Sequence, residues 1–342
     1  MRCCSKCFNN HYLTKEIENS LKVEETQCDF CGSFEKTIPS YQLADKFLPF
    51  IDLYEQNPNG KKIAELLQCD WGISEHLSLD IFSCLIDSIT ENEFSNKFYV
   101  SRERMSINSI DTWNKFKEEL QHSNRFFPTK YIDLDEIQNA LRYMKAVDVP
   151  KKLYRARVSD GNSFPSDKML APPKKLVGNG RANPVGIPYL YTATDINTAI
   201  SELRPHKGDF ISVIELTVNT DNLDIADLST PRFTSYLFRL NEDQLSELQS
   251  QIEFIKHLGE VLSQPVLPNK AELEYLPTQF LCELIKSTNV GMSENKQFDG
   301  VMFKSSLGDG KNIALFNYEN NIFAGDVQLY QVDDIKYHHS EH

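Results

Sequence analysis

The hydrophobic period of the chain changes at residue 149, and that change limits the possible folds more than any single motif does. Upstream, apolar residues recur at helical spacing, as with Leu43, Phe47, Phe50, Ile51 and Tyr54 in 40–57. Segments 61–92, 110–122 and 134–147 continue the pattern. The last two each open on an aspartate, Asp111 and Asp135, expected as N-caps. "NPNG" at 57–60 predicts a turn. Downstream, "KKLYRARV" alternates like a strand, with Tyr154 and Ala156 on one side and Arg155 and Arg157 on the other. Further strands are predicted over 187–193, 209–218, 298–306, 311–317 and 326–333. Helices are predicted over 195–205, capped by Asp195 and stopped by Pro205, and over 241–263 and 278–287. The reading is an α+β chain: a cysteine-rich segment over 1–36, an all-helical domain over 37–149, and a mixed domain with a β core and flanking helices over 150–338.

Five of the eight cysteines fall in the first segment. Cys4 and Cys7 enclose two residues, as do Cys28 and Cys31, so each pair can form a tight knuckle. Together they offer four thiolates to one tetrahedral zinc, a saturated set with no open position for catalysis. Gly32 suits the sharp turn after Cys31, and Cys3 is a spare that can replace Cys4 in the register. Cys69, Cys84 and Cys282 sit among apolar helical residues and are expected to be buried.

Charge narrows the function. The chain of 342 residues carries a net charge of −13, the wrong sign for a protein that grips nucleic acid through its phosphates. There is no apolar run of about 18 residues that would span a membrane. The opening "MRCCSKCFNN" lacks the apolar stretch of a secretory signal. With cysteines suited to metal or to a reducing compartment, a cytoplasmic protein is expected.

The mixed domain carries polar residues that a fold alone does not require. Arg155 and Arg157 share a strand face, Arg181 lies in the glycine-rich stretch "GNGRANPVG", Tyr191 ends a strand, Glu202 follows on a helix, and Ser305 and Ser306 end a late strand. Arginines clamp a diphosphate, a tyrosine packs on a flat ring, and a carboxylate stabilises a developing cation. Each also has a plain structural reading: an ion pair for Arg155, a solvated loop for Arg181, core for Tyr191, a surface charge for Glu202, a turn for Ser305. Asn183 and Gly186 are expected to shape the loop, and His206 to lie on the surface. Tyr275 and Gln279 suit either a pocket wall or the core.

Three ordered motifs, "LYRAR", "GNGRANPVGIPYLYTATDINTAISEL" and "FDGVMFKSSLGDGKNIALF", give the region from about 150 to 335 a resemblance to the RES domain family. The resemblance implies an ADP-ribosyltransferase-like fold that consumes NAD+ by hydrolysis or phosphorolysis, or modifies a protein. It also implies a toxin or defence effector held in check by an antitoxin, another regulatory partner or its own N-terminal domain, with a homodimer as a further expectation. By resemblance, Arg155 is the family's first Arg, Arg181 the loop Arg, Tyr191 the strand Tyr, Glu202 the Glu, and Ser305 or the adjacent Ser306 the Ser. Arg157 has no firm counterpart and shares the face of Arg155. Ala182 stands where many members have Trp.

The N-terminal part resembles a domain related to HEPN helical bundles that accompanies some RES domains. Ribonuclease HEPN domains carry an Arg shortly upstream of a His. Neither His76 nor His122 has one, so no nuclease is expected. The leading expectation is therefore an enzyme that breaks the nicotinamide–ribose bond. A protein ADP-ribosyltransferase and a nucleotide-sensing module without catalysis remain as alternatives.

Overall fold

Strands β1 (Arg2–Cys4), β2 (Glu24–Gln27) and β3 (Phe34–Pro39) form an antiparallel sheet in the order β1-β3-β2 in the computed structural model. It describes residues 1–102, 108–129, 131–230, 235–291 and 295–335. The chain divides into two compact units, Met1–Ile107 with Arg232–Glu253, and Asn108–Pro231 with Phe254–His342.

In the first unit, helix α1 (His11–Glu18) is capped by Asn10, whose side chain accepts from the Leu13 N–H at 3.1 Å. Helix α2 (Ala44–Ile51) buries Phe47, Phe50 and Ile51, and the Phe50 ring meets Trp71 edge-on at 5.2 Å. Strand β4 (Tyr54–Lys61) follows, then helices α3 (Ile63–Trp71) and α4 (Leu79–Thr90), and strand β5 (Tyr99–Ser101), which pairs with β4. This pair corrects the expectation of an all-helical region. Gln56 and Lys61 both pair with Tyr99, so "NPNG" bulges out of the ladder and the strand resumes instead of reversing. A side chain at Gly60 would stand 2.1 Å from the Tyr99 carbonyl oxygen, so only glycine lets the chain return there. Cys69 and Cys84 are exposed, against expectation. The apolar stripes of their helices run through Leu66, Leu67 and Trp71, and through Phe82, Leu85 and Ile86, leaving both thiols on the solvent side.

In the second unit, helices α5 (Ile110–His122) and α6 (Leu134–Leu141) are capped by Ser109 and Asp133. The caps thus lie before Asp111 and Asp135, which instead occupy first turns, where the helix dipole favours an acid. Strands β6 (Lys152–Ser159), β7 (Leu190–Ala193), β8 (Phe210–Val218), β9 (Ile225–Asp227), β10 (Gly300–Lys304), β11 (Lys311–Leu315) and β12 (Ile322–Gln331) form one sheet among the described residues. Its order is β12-β8-β6-β7-β11-β10-β9, antiparallel except between β10 and β9.

One face buries Leu153, Leu190, Ile214, Leu216, Ile313 and Leu315. The other buries Ala156, Ala193, Ile211 and Val213 with Ala199 of helix α7 (Ile196–Ser201). Helices α8 (Glu242–Ser263), α9 (Ala271–Glu274) and α10 (Leu276–Ser287) complete the set, and Cys282 of α10 is fully buried as expected. Among the described residues no helix is long and apolar enough to cross a membrane.

Helix α8 approaches the chain after β9 so closely that a Cβ at Gly259 would lie 2.3 Å from the Leu228 carbonyl oxygen. Alanine is favoured over glycine by about 1 kcal/mol in a helix interior. At this contact the sign reverses: Gly259→Ala should destabilise the protein by about 1–3 kcal/mol, read as a lower urea midpoint.

Candidate active site

The irregular loop before β7 is a clamped structure. Asn183 is buried, and its amide donates to the Gly178 and Pro184 carbonyls at 3.1 and 3.0 Å. The Tyr191 hydroxyl donates to Asn183 Oδ1 at 2.8 Å and accepts from the Ala182 N–H at 2.9 Å. From α10, Gln279 Nε2 donates to the Gly180 carbonyl at 2.8 Å and Thr278 Oγ1 to the Arg181 carbonyl at 2.7 Å. A side chain at Gly180 would stand 2.3 Å from Asn183 Oδ1 and 2.6 Å from the Tyr191 hydroxyl, which explains the glycine. Burial pushes the Tyr191 phenol up from its ordinary value, so it remains a neutral donor. Ala182 is fully buried in this packing.

Beside the loop the sheet opens. Strands β6 and β7 pair only at Tyr154↔Ala193. Where they part, Arg155 Nη1 donates to the Tyr191 carbonyl at 3.0 Å, and the side chain takes the place of a ladder hydrogen bond. Arg155 Nε is buried and has no hydrogen-bond partner among the described residues. Burial, reinforced by the neighbouring Arg157 guanidinium, pulls Arg155 down to about 10, still well above neutrality. It is therefore a desolvated cation at neutral pH, the state that a bound anion relieves.

Three more guanidinium groups border the same space. Arg157 donates to the Lys168 carbonyl and stacks over Phe164 at 4.5 Å. Arg181 donates to the Leu262 and Gln264 carbonyls at 3.1 and 2.6 Å, at the end of α8. Arg204 donates to the Val266 carbonyl at 3.2 Å. Among the described residues none of these arginines pairs with a carboxylate, so their charge stays available.

The acid stands opposite. Glu202 is the C-cap residue of α7 and is exposed. Its Oε1 accepts from Ser305 Oγ at 2.6 Å and from Asn312 Nδ2 at 2.7 Å. Asp195 caps the start of α7, accepting from the Thr198 N–H at 2.8 Å, and Arg204, at φ +50°, turns the chain before Pro205 can. Arg155, Arg157, Arg181, Tyr191, Glu202 and Ser306 line one cavity of about 630 Å³. Ser305 is not one of the lining residues but is bonded to Glu202.

Tyr275 also lines the cavity, whereas Gln279 serves the loop. His206 is exposed. Sequence reasoning missed Asn312, Arg204 and Tyr154, which line the cavity too. A polar residue directly before the apolar run Ile313, Ala314 and Leu315 of β11 is the signal that marks Asn312.

The cysteines form a second cluster. The sulfurs of Cys4, Cys7, Cys28 and Cys31 lie within 4.8 Å of one another, with Cys4–Cys31 and Cys7–Cys28 each at 3.4 Å. Such a set can hold a metal ion. Gly32, at φ +72°, makes the turn after Cys31. Cys3 pairs with Ile38 along β1 and lies outside the cluster.

The RES domain family matches residues 152–339, more than half of the chain and all of the cavity wall. The protein belongs to the RES domain family. No curated protein and no solved structure matches the chain. The RES domain begins with β6, the strand that carries Arg155, and leaves the cysteine cluster and the preceding helices outside it.

The buried, half-satisfied Arg155 should make the RES domain a diphosphate binder. Inorganic pyrophosphate titrated by calorimetry should bind at neutral pH, and Arg155→Gln should weaken it roughly tenfold or more. Because the cation is present below its shifted value and lost above it, binding should fall away as pH rises through about 10.

Proposed function

We propose that this RES-domain protein cleaves the nicotinamide–ribose bond of NAD+. The observation that carries the reading is the pairing within one cavity of four guanidinium groups, none neutralised by an acid, with a single carboxylate held by neutral donors. The diphosphate lies toward Arg155, Arg157 and Arg181, and the nicotinamide packs on the Tyr191 ring. As the bond breaks, its electrons leave with nicotinamide, which departs neutral, and positive charge develops on the ribose. Glu202 stabilises that charge and orients the attacking group. With water as the acceptor the products are nicotinamide, ADP-ribose and a proton; phosphate gives the phosphorylated sugar instead. Ser305 holds Glu202, and Ser306 faces the ribose. Family kinship with toxins of toxin–antitoxin pairs supports a partner protein that restrains this activity in the cell.

The thiol cluster is assigned to one structural zinc bound by Cys4, Cys7, Cys28 and Cys31. Four thiolates fill a tetrahedral ion, so the metal ties the ends of β1 and the β2–β3 turn together and takes no part in the reaction. Metal analysis of the purified protein should find one zinc per chain. Cys28→Ser should abolish it and lower the melting temperature by several degrees.

Purified protein incubated with NAD+ should release nicotinamide without labelling any protein. Label transferred to a protein would replace hydrolysis by ADP-ribosyl transfer, and intact NAD+ would overturn the reading. Glu202→Gln should slow nicotinamide release by about 10²-fold or more while leaving the melting temperature nearly unchanged.

A further inference from the structure

We propose that Asn312 is a positioning residue for Glu202: it fixes one carboxylate oxygen so that the other is presented to the cavity. The inference rests on the proposed reaction only for what the positioned oxygen does. Its basis is how the donors are distributed. Both side-chain donors to Glu202, Ser305 Oγ and Asn312 Nδ2, meet the same atom, Oε1. Among the described residues Oε2 receives no hydrogen bond, and no Lys, Arg or His forms an ion pair with Glu202 despite four arginines around the cavity. A carboxylate has two oxygens and about four lone-pair sites. Filling one side with neutral donors fixes the rotamer and leaves the charge unneutralised on the other.

The two donors come from one hairpin and are constrained differently. Ser305 lies in the turn after β10, where its oxygen also accepts from the Leu307 and Gly308 N–H groups at 3.1 and 2.9 Å. Those bonds direct its own proton to Glu202. Asn312 projects from β11, in register with Phe303 of β10 and Ala193 of β7, which in turn pairs with Tyr154 of β6. All four residues of this row line the cavity. Asn312 is only 9% exposed, on a strand whose next three residues are fully buried and apolar. A buried amide is costly to the fold unless hydrogen-bonded. Its side-chain bond to Glu202 is therefore what makes an amide suitable at this position, where packing alone would favour an apolar residue.

Glu202 needs such a partner. Helix α7 is six residues long, and Glu202 sits at its end, exposed, with the backbone turning away at Arg204. An exposed glutamate at a helix end has several accessible rotamers unless a partner fixes one. The strand-borne amide supplies a fixed point on the sheet, the most rigid element at hand.

Two variants and one spectrum test the assignment. Asn312→Ala removes the donor, and Asn312→Asp keeps the size but sets a second carboxylate against Glu202. Each should lower kcat for nicotinamide release roughly 10- to 100-fold while KM for NAD+ stays within about twofold, because binding is left to the arginines. Wild-type kcat in both variants would overturn the assignment, as would a loss confined to KM. The hydrogen bond is also read without turnover. The Asn312 side-chain amide resonance, identified by its disappearance in Asn312→Ala, should shift downfield in wild type relative to Glu202→Gln; an unchanged position in the two proteins would overturn it. An unreactive wild-type protein that nevertheless shows this shift would refute the proposed reaction and leave the positioning intact.

Discussion

One ladder pair, Tyr154↔Ala193, is all that joins β6 to β7, and the cavity depends on it. A continuous ladder would pair the Tyr191 carbonyl with backbone and leave no opening in the sheet. Instead the strands part, and a guanidinium donates to that carbonyl. The substitution has two consequences. Residues of both parities on β6, Tyr154 and Ala156 as well as Arg155 and Arg157, border the same space, which an unbroken strand would divide between two faces. Arg155 is also drawn into the sheet, where its Nε is left without a partner and its charge is poorly solvated. The opening and the unsatisfied cation are two aspects of one structural fact.

The choice of partners keeps the site electrostatically poised. In a chain with an excess of acids, carboxylates were available to neutralise every arginine. The cavity arginines are held by carbonyls instead: Tyr191 for Arg155, Lys168 for Arg157, Leu262 and Gln264 for Arg181, Val266 for Arg204. A carbonyl orients a guanidinium and leaves its charge in place, whereas an ion pair would cancel it. Glu202 follows the same rule with the opposite sign, being held by a hydroxyl and an amide. Charges of both signs therefore coexist around one space without quenching one another.

Legibility in the sequence followed the range of the interaction. The strand alternation of β6, the Asp195 cap of α7 and the paired spacing of the cysteines are local, and all three could be read directly. The β4–β5 pair joins segments far apart in sequence, and the turn chemistry of "NPNG" gave no hint that the strand resumes beyond it. The same limit applied at the site. Arg155, Arg181 and Glu202 could be singled out as unusual residues, but the carbonyls that hold the arginines carry no residue-type signal. Asn312 was overlooked because, next to Lys311, it reads as the polar start of a strand; only the register against Ala193 and Phe303 makes it part of the wall. Asp111 and Asp135 failed as caps for a local reason: Ser109 and Asp133 hold better-placed oxygens two residues earlier.

Small residues shape the site as well, because a cavity needs absent side chains as much as present ones. Ala156, Ala193 and Ala199 pack between the sheet and α7, bringing the helix end, and Glu202 with it, close to the floor. Gly308 and Gly310 let the β10–β11 turn pass against Thr198 of the same helix, where a Cβ would stand 2.8 and 2.5 Å from its hydroxyl. That contact sets the distance between the turn carrying Ser305 and the helix carrying Glu202. The hairpin therefore supplies both donors to the acid and, through its glycines, the approach that lets them reach it. Enlarging any of these positions would separate acid from donors without touching a polar group, which is why the site belongs to the packing of the whole sheet and not to its charged residues alone.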